Sequence, residues 1–168
     1  LALFPAAAHA QSPTATPTAQ TTTQATTPQA RIDAAMQSAA QAQIPTSLLE
    51  SKVREGAAKG VAMTRVAAAV EARLEALIRA RDARRSADVS NYTDGELLVA
   101  SEALTAGVSN NALVSVARTA PRERRAVATA VLTDLVRLGY EDGEARARLD
   151  AALAGGPEDL VNLRAEAA

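Results

Sequence analysis

Lys52, Glu55 and Lys59 lie at i, i+3 and i+7 of a stretch with helical spacing, which sets one carboxylate between two ammonium groups on a single helix face. Arg65 follows shortly after the Gly60-Val61 pair. A set of this kind can hold an anionic group or an acidic partner through charge-assisted hydrogen bonds. Glu50 with Glu55, or Asp94 with Glu96, could in principle form an acid and base couple of the type that cleaves glycosides. Sugar sites also need aromatic platforms, and beyond position 10 the aromatic residues are Tyr92 and Tyr140. The expected site is therefore a binding site made of Lys52, Glu55, Lys59 and Arg65, with no catalytic residue. The bland alternative is a solvated helix face. The enzymatic alternative is a small-ligand or carboxylate-based site near Glu50, Glu55 and Lys59.

Other chemistry is thinly supplied. The chain has no cysteine, and its sole histidine, His9, lies in a leader-like segment. Ser-His-Asp and Cys-His systems, histidine bases and the usual zinc ligand sets are thereby disfavoured. Neither a Walker loop nor a Gly-x-Gly-x-x-Gly turn occurs. No metal and no cofactor is expected. Asp94-Gly95-Glu96 and Asp142-Gly143-Glu144 lack the ligand alternation of a calcium loop and read as helix starts, where carboxylates favour the positive end of the dipole. Two basic clusters, Arg79-Arg81-Arg84-Arg85 and Arg118-Arg122-Arg124-Arg125, contrast with an acidic last segment from Glu141 onward. They read either as a patch for anionic envelope polymers or an acidic partner protein, or as exposed helix ends paired with that segment. A formal net charge of −1 argues against nucleic acid as the partner.

The elements that carry these residues are helical throughout. Ile32 and Met36 begin a helical stripe over Arg31 to Gln43, which Pro45 interrupts. Ser47 and Glu50 have capping-box spacing, ahead of a helix through Leu49, Val53 and Gly56 to Gly60. A glycine in mid-helix implies close approach of another helix or of a ligand, core packing being the bland explanation. Val66, Val70, Leu74, Leu77 and Ile78 mark a long helix ending near Arg84-Arg85. Thr93 and Glu96 make a second capping box, and Ser109 caps a short helix with Leu113 and Val116. Pro121 opens a helix whose stripe is Val127, Val131, Leu135 and Leu138, and a shorter helix carries Ala145, Leu149 and Leu153. Pro157 opens the last helix. Gly60-Val61, Gly107-Val108 and Gly139-Tyr140 have the Schellman pattern of a left-handed glycine followed by an apolar residue. Strand periodicity is missing. The expected fold is all-α: an irregular compact bundle of about six to eight short helices with Gly-capped corners, preceded by a disordered tether.

Domain organisation follows from composition. Residues 1–10, Leu1 to Ala10, read as the end of a signal peptide, with Ala8 and Ala10 flanking His9 before a cleavage point. Residues 11–30 hold only Gln, Ser, Pro, Thr and Ala and read as a disordered linker. Residues 31–168 form the helical domain. No apolar run reaches the length of a membrane span, so a periplasmic or extracellular location is expected.

The run Leu49-Glu50-Ser51-Lys52-Val53-Arg54-Glu55-Gly56-Ala57-Ala58-Lys59-Gly60-Val61, continuing to Arg65-Val66, resembles uncharacterised exported bacterial helical proteins with a Leu-x-x-Lys-x-x-Glu-Gly-x-x-Lys-Gly-Val motif. Lys52, Glu55, Gly56, Lys59, Gly60, Val61 and Arg65 match that pattern. The resemblance implies an envelope location and a helical fold, and no catalytic activity. The combined expectation is an exported, non-catalytic interaction module whose partner is a protein of the cell envelope.

Overall fold

The computed structural model describes residues 27–166. Among them are eight α-helices: α1 (Pro28–Gln41), α2 (Ser47–Ala58), α3 (Met63–Ser86), α4 (Asp94–Thr105), α5 (Asn110–Thr119), α6 (Arg125–Arg137), α7 (Asp142–Gly155) and α8 (Pro157–Glu166). A 3-10 turn, Arg122–Arg124, leads into α6. The leader and most of the linker lie outside the described residues. The first helix starts at Pro28, inside the span read as linker, because Thr27 caps it by accepting from the Ala30 amide at 3.2 Å.

α3 is the axis of the fold. It packs against α1, α2, α4 and α5, while α6 joins α4 to the α7–α8 pair. Its buried stripe of Val66, Val70, Leu74 and Leu77 continues through Ala67, Ala76, Ala80 and Ala83. Alanine at those positions lets neighbouring helices approach closely. α6 buries Ala128, Val131, Leu132 and Leu135, whereas Val127 and Leu138 are exposed, so its inward face is turned from the stripe read in sequence. The 3-10 turn takes up Arg122–Arg124, so Pro121 precedes that turn and α6 itself starts at Arg125.

The corners obey one rule. At Gly60-Val61, the Val61 amide donates to the Gly56 carbonyl and the Gly60 amide to that of Ala57; the same two bonds recur at Gly107-Val108 and Gly139-Tyr140. All three glycines have positive φ, as a Schellman motif requires. The pattern also closes α1 at Gln43-Ile44 and α3 at Asp88-Val89, where φ is +56° and +59° on residues that carry a Cβ. The box at Thr93 and Glu96 is formed, with reciprocal bonds of 2.8 and 3.1 Å. The box read at Ser47 and Glu50 is not. α2 is preceded by Thr46 in helical rather than extended backbone, so no side chain caps it, and the Thr46 hydroxyl donates instead to Glu50 Oε1 at 3.1 Å.

Candidate functional site

The residues singled out on α2 and α3 meet in one place. Lys52, Glu55, Lys59 and Arg65 line a cleft of about 220 Å³ whose floor is Gly56, Val61, Val66 and Ala69. α2 supplies Lys52 and Glu55, Lys59 is its C-cap residue, and the Gly60-Val61 corner folds α3 back so that Arg65, on its first turn, faces the same space. Gly56 allows this. A Cβ built there would lie 2.6 Å from Val66 Cγ2, so the two helices touch backbone to side chain.

Glu55 is clamped between its neighbours. Lys52 Nζ donates to Oε2 at 2.8 Å and Lys59 Nζ to Oε1 at 2.5 Å. Hydrogen bonds from Lys52 and then Lys59, reinforced by their charge, hold the carboxyl at a pKa of about 2, well below the ordinary range. Near neutral pH it is a fixed anion and not a proton donor. Glu50 takes no part in the cleft; its carboxylate faces solvent beside Thr46.

Arg65 is different. Its side chain is exposed and has no ion pair or hydrogen bond among the described residues. Three cations set against one carboxylate leave the cleft with two surplus positive charges (3 − 1 = 2). α3 adds to this potential, because its N-cap is Ala62, which offers no capping side chain, and its first turn contains no acidic residue. What results is a cationic rim over a small apolar floor.

The arginine clusters divide by burial. Arg81 donates to the Ala42 carbonyl at 2.7 Å and Arg118 to that of Ser86 at 2.5 Å, so each satisfies the end of another helix. Arg79, Arg85 and Arg122 are exposed. Arg84 and Arg125, one from each cluster, are buried together with Glu96. Each guanidinium has Nη1 3.6 Å from Glu96 Oε1, and Arg84 Nη2 also donates to the Glu96 carbonyl at 3.1 Å. Burial holds the Arg84 pKa below its ordinary value, with the neighbouring Arg125 charge acting the same way and the Glu96 carboxylate opposing both. Sequence reasoning missed this trio, since nothing local shows that the ends of α3, α4 and α6 converge. The acidic last segment does not neutralise the clusters: Glu144 and Asp150 pair with Arg148 and Arg146 of the same helix.

A second groove, between α1 and α3, is larger and more apolar. It measures about 370 Å³ and is lined by Ala34, Ala35, Leu74 and Ile78, with the Arg31–Glu71 pair at its edge. Among the described residues no group of three acidic, histidine or cysteine side chains is placed to hold a metal ion, and no helix is long and apolar enough to cross a membrane. No family model, curated protein or solved structure matches the chain, so the cleft's own chemistry is the guide to its use.

Proposed function

We propose that the protein is an exported, non-catalytic helical interaction module of the bacterial envelope, and that the α2–α3 cleft receives an acidic side chain of a protein partner. The observation that carries this reading is the surplus charge: Arg65 is unpaired among the described residues, next to a Lys52–Glu55–Lys59 clamp and above the apolar surface of Val61, Val66 and Ala69. A guanidinium can grip a carboxylate bidentately, and Lys59, the more exposed of the two lysines, can turn from Glu55 to a second acceptor. The apolar floor then accepts a neighbouring aliphatic side chain of the partner, which gives selectivity that charge alone lacks. Export is supported by the leader-like Leu1–Ala10 segment and by the resemblance of the Leu49–Val61 run to exported helical proteins.

The test is peptide selection on the whole protein. Sequences enriched from a random displayed library should pair Asp or Glu with an adjacent aliphatic residue, bind more weakly as salt rises, and lose binding to K59E and R65E proteins whose circular dichroism is unchanged. Enriched peptides that bind the two variants as well as the parent would remove the cleft from the account. Mass spectrometry of the protein recovered from the envelope should find Gln11 as its first residue; recovery solely from the cytoplasm would remove the export part.

A further inference from the structure

Along α3, Arg65, Ala68, Ala72 and Glu75 recur at steps of three, four and three, the seam pattern by which one helix lies along another. All four are exposed, although the other side of α3 is buried against α1, α2, α4 and α5. Opposite charges bracket the two alanines. Neither Arg65 nor Glu75 has an ion pair or hydrogen bond among the described residues, whereas the neighbouring Glu71 is held by Arg31. Ten positions of helix set Arg65 and Glu75 about 15 Å apart, so they do not serve each other within one chain.

We propose that this strip joins two copies of the protein as an antiparallel α3–α3 pair, in which the acidic side chain received by the α2–α3 cleft is Glu75 of the second copy. The pairing rests on the reading of the cleft given above and names its partner. The strip is complementary to itself. A twofold axis near position 70 sets Arg65 against Glu75 of the partner subunit and Ala68 against Ala72 of the partner subunit, and each pairing occurs twice. Alanine at the middle lets the two helices come close, and the flanking charges select the direction: a parallel pair would set Arg65 against Arg65 and Glu75 against Glu75. Arg65 belongs to the strip and to the cleft alike, so the incoming carboxylate meets the surplus positive charge found there. Arg79, the next exposed position, falls past the start of the other copy's α3 and takes no part. Four residues a side are far fewer than the roughly 20–30 of a standard interface, so the pair is weak, with a dissociation constant on the order of 0.1 mM.

Sedimentation equilibrium of the full chain, from about 10 µM to about 1 mM, tests the pairing. The average mass of the parent protein should climb from one copy toward two with concentration, and less steeply as salt rises. R65E and E75R, both changes at exposed positions, should each stay monomeric over that range, because like charges then meet twice across the axis. Mixed in equal amounts, the two monomeric variants should recover the rise in mass, since each presents the charge that the other lacks; the R65E/E75R double variant should recover it alone. E75R leaves the cleft itself intact and should bind the acidic peptide from the selection as well as the parent does. A parent protein that stays monomeric throughout, or a mixture of R65E and E75R that does, would overturn the pairing; peptide binding retained in that case would leave the cleft's acidic ligand standing without a second copy as its source.

Discussion

Replacing Gly56 with alanine should destabilise the protein, although alanine is the better helix former. In an open helix the change gains about 1 kcal/mol. Here the added methyl would sit 2.6 Å from Cγ2 and 3.3 Å from Cγ1 of Val66. Val66 is 2 % exposed and β-branched on a helix, so it has no second rotamer into which to swing. Overpacking of this kind costs about 1–3 kcal/mol, and the balance is a loss of about 1 kcal/mol. Val66→Ala alone removes two buried methyl groups and should cost about 2 kcal/mol. With Val66 already trimmed, the G56A methyl meets only the remaining Cβ at 3.5 Å, an ordinary contact, and the change should stabilise by about 1 kcal/mol, giving a coupling of about 2 kcal/mol between the positions. Urea unfolding of the four proteins at constant m-value measures each quantity. Should G56A stabilise by about 1 kcal/mol in both backgrounds, the close approach of α2 and α3 is wrong, and with it the shape of the cleft.

Glu55 should titrate near pH 2 by carboxyl NMR, and K52M/K59M should return it toward the ordinary range. Because its folded pKa is depressed, the clamp's contribution to stability is present above the unfolded value and is lost as pH falls through the folded one, so acid unfolding of K52M/K59M should lack that component. Gln43→Gly should raise stability by up to about 1 kcal/mol in thermal unfolding, since φ of +56° strains a residue with a Cβ, while Gly60→Ala, at φ +64°, should lower it by about 1–2 kcal/mol. Glu96→Gln keeps an oxygen for the Thr93 amide but strips the buried charge from Arg84 and Arg125, and should cost about 3–5 kcal/mol in urea unfolding.

Features that a single residue type imposes could be read in the sequence. The three glycine corners, the Thr93–Glu96 box, the Ser109 cap and the close approach at Gly56 each depend on local chemistry that few residues can supply. The Gln43 and Asp88 corners have the same hydrogen bonds but lack glycine, so nothing in the residue type announces them. The face of α6 is legible only in part, because alanine fits inside or outside: Val131 and Leu135 are buried as their spacing predicts, but Ala128 fills the core in place of Val127. Lys52, Glu55 and Lys59 were legible as one helix face because their spacing is local, and Arg65 joined them through a corner that the sequence also marks. The Arg84–Glu96–Arg125 trio depends on three distant helix ends meeting. Its one sequence trace is Glu96 beside the buried Leu97, which places the capping carboxylate at the edge of the core.

The most direct measurement of the central claim is an amide chemical-shift titration of the parent protein and the K59E/R65E variant with the best peptide from the selection. The account predicts that shifts cluster on residues 52–69 of the parent, and that the variant, folded alike, shows none at the same concentrations. Shifts centred on Ala34, Leu74 and Ile78 in both proteins would instead assign binding to the apolar groove between α1 and α3 and contradict the account.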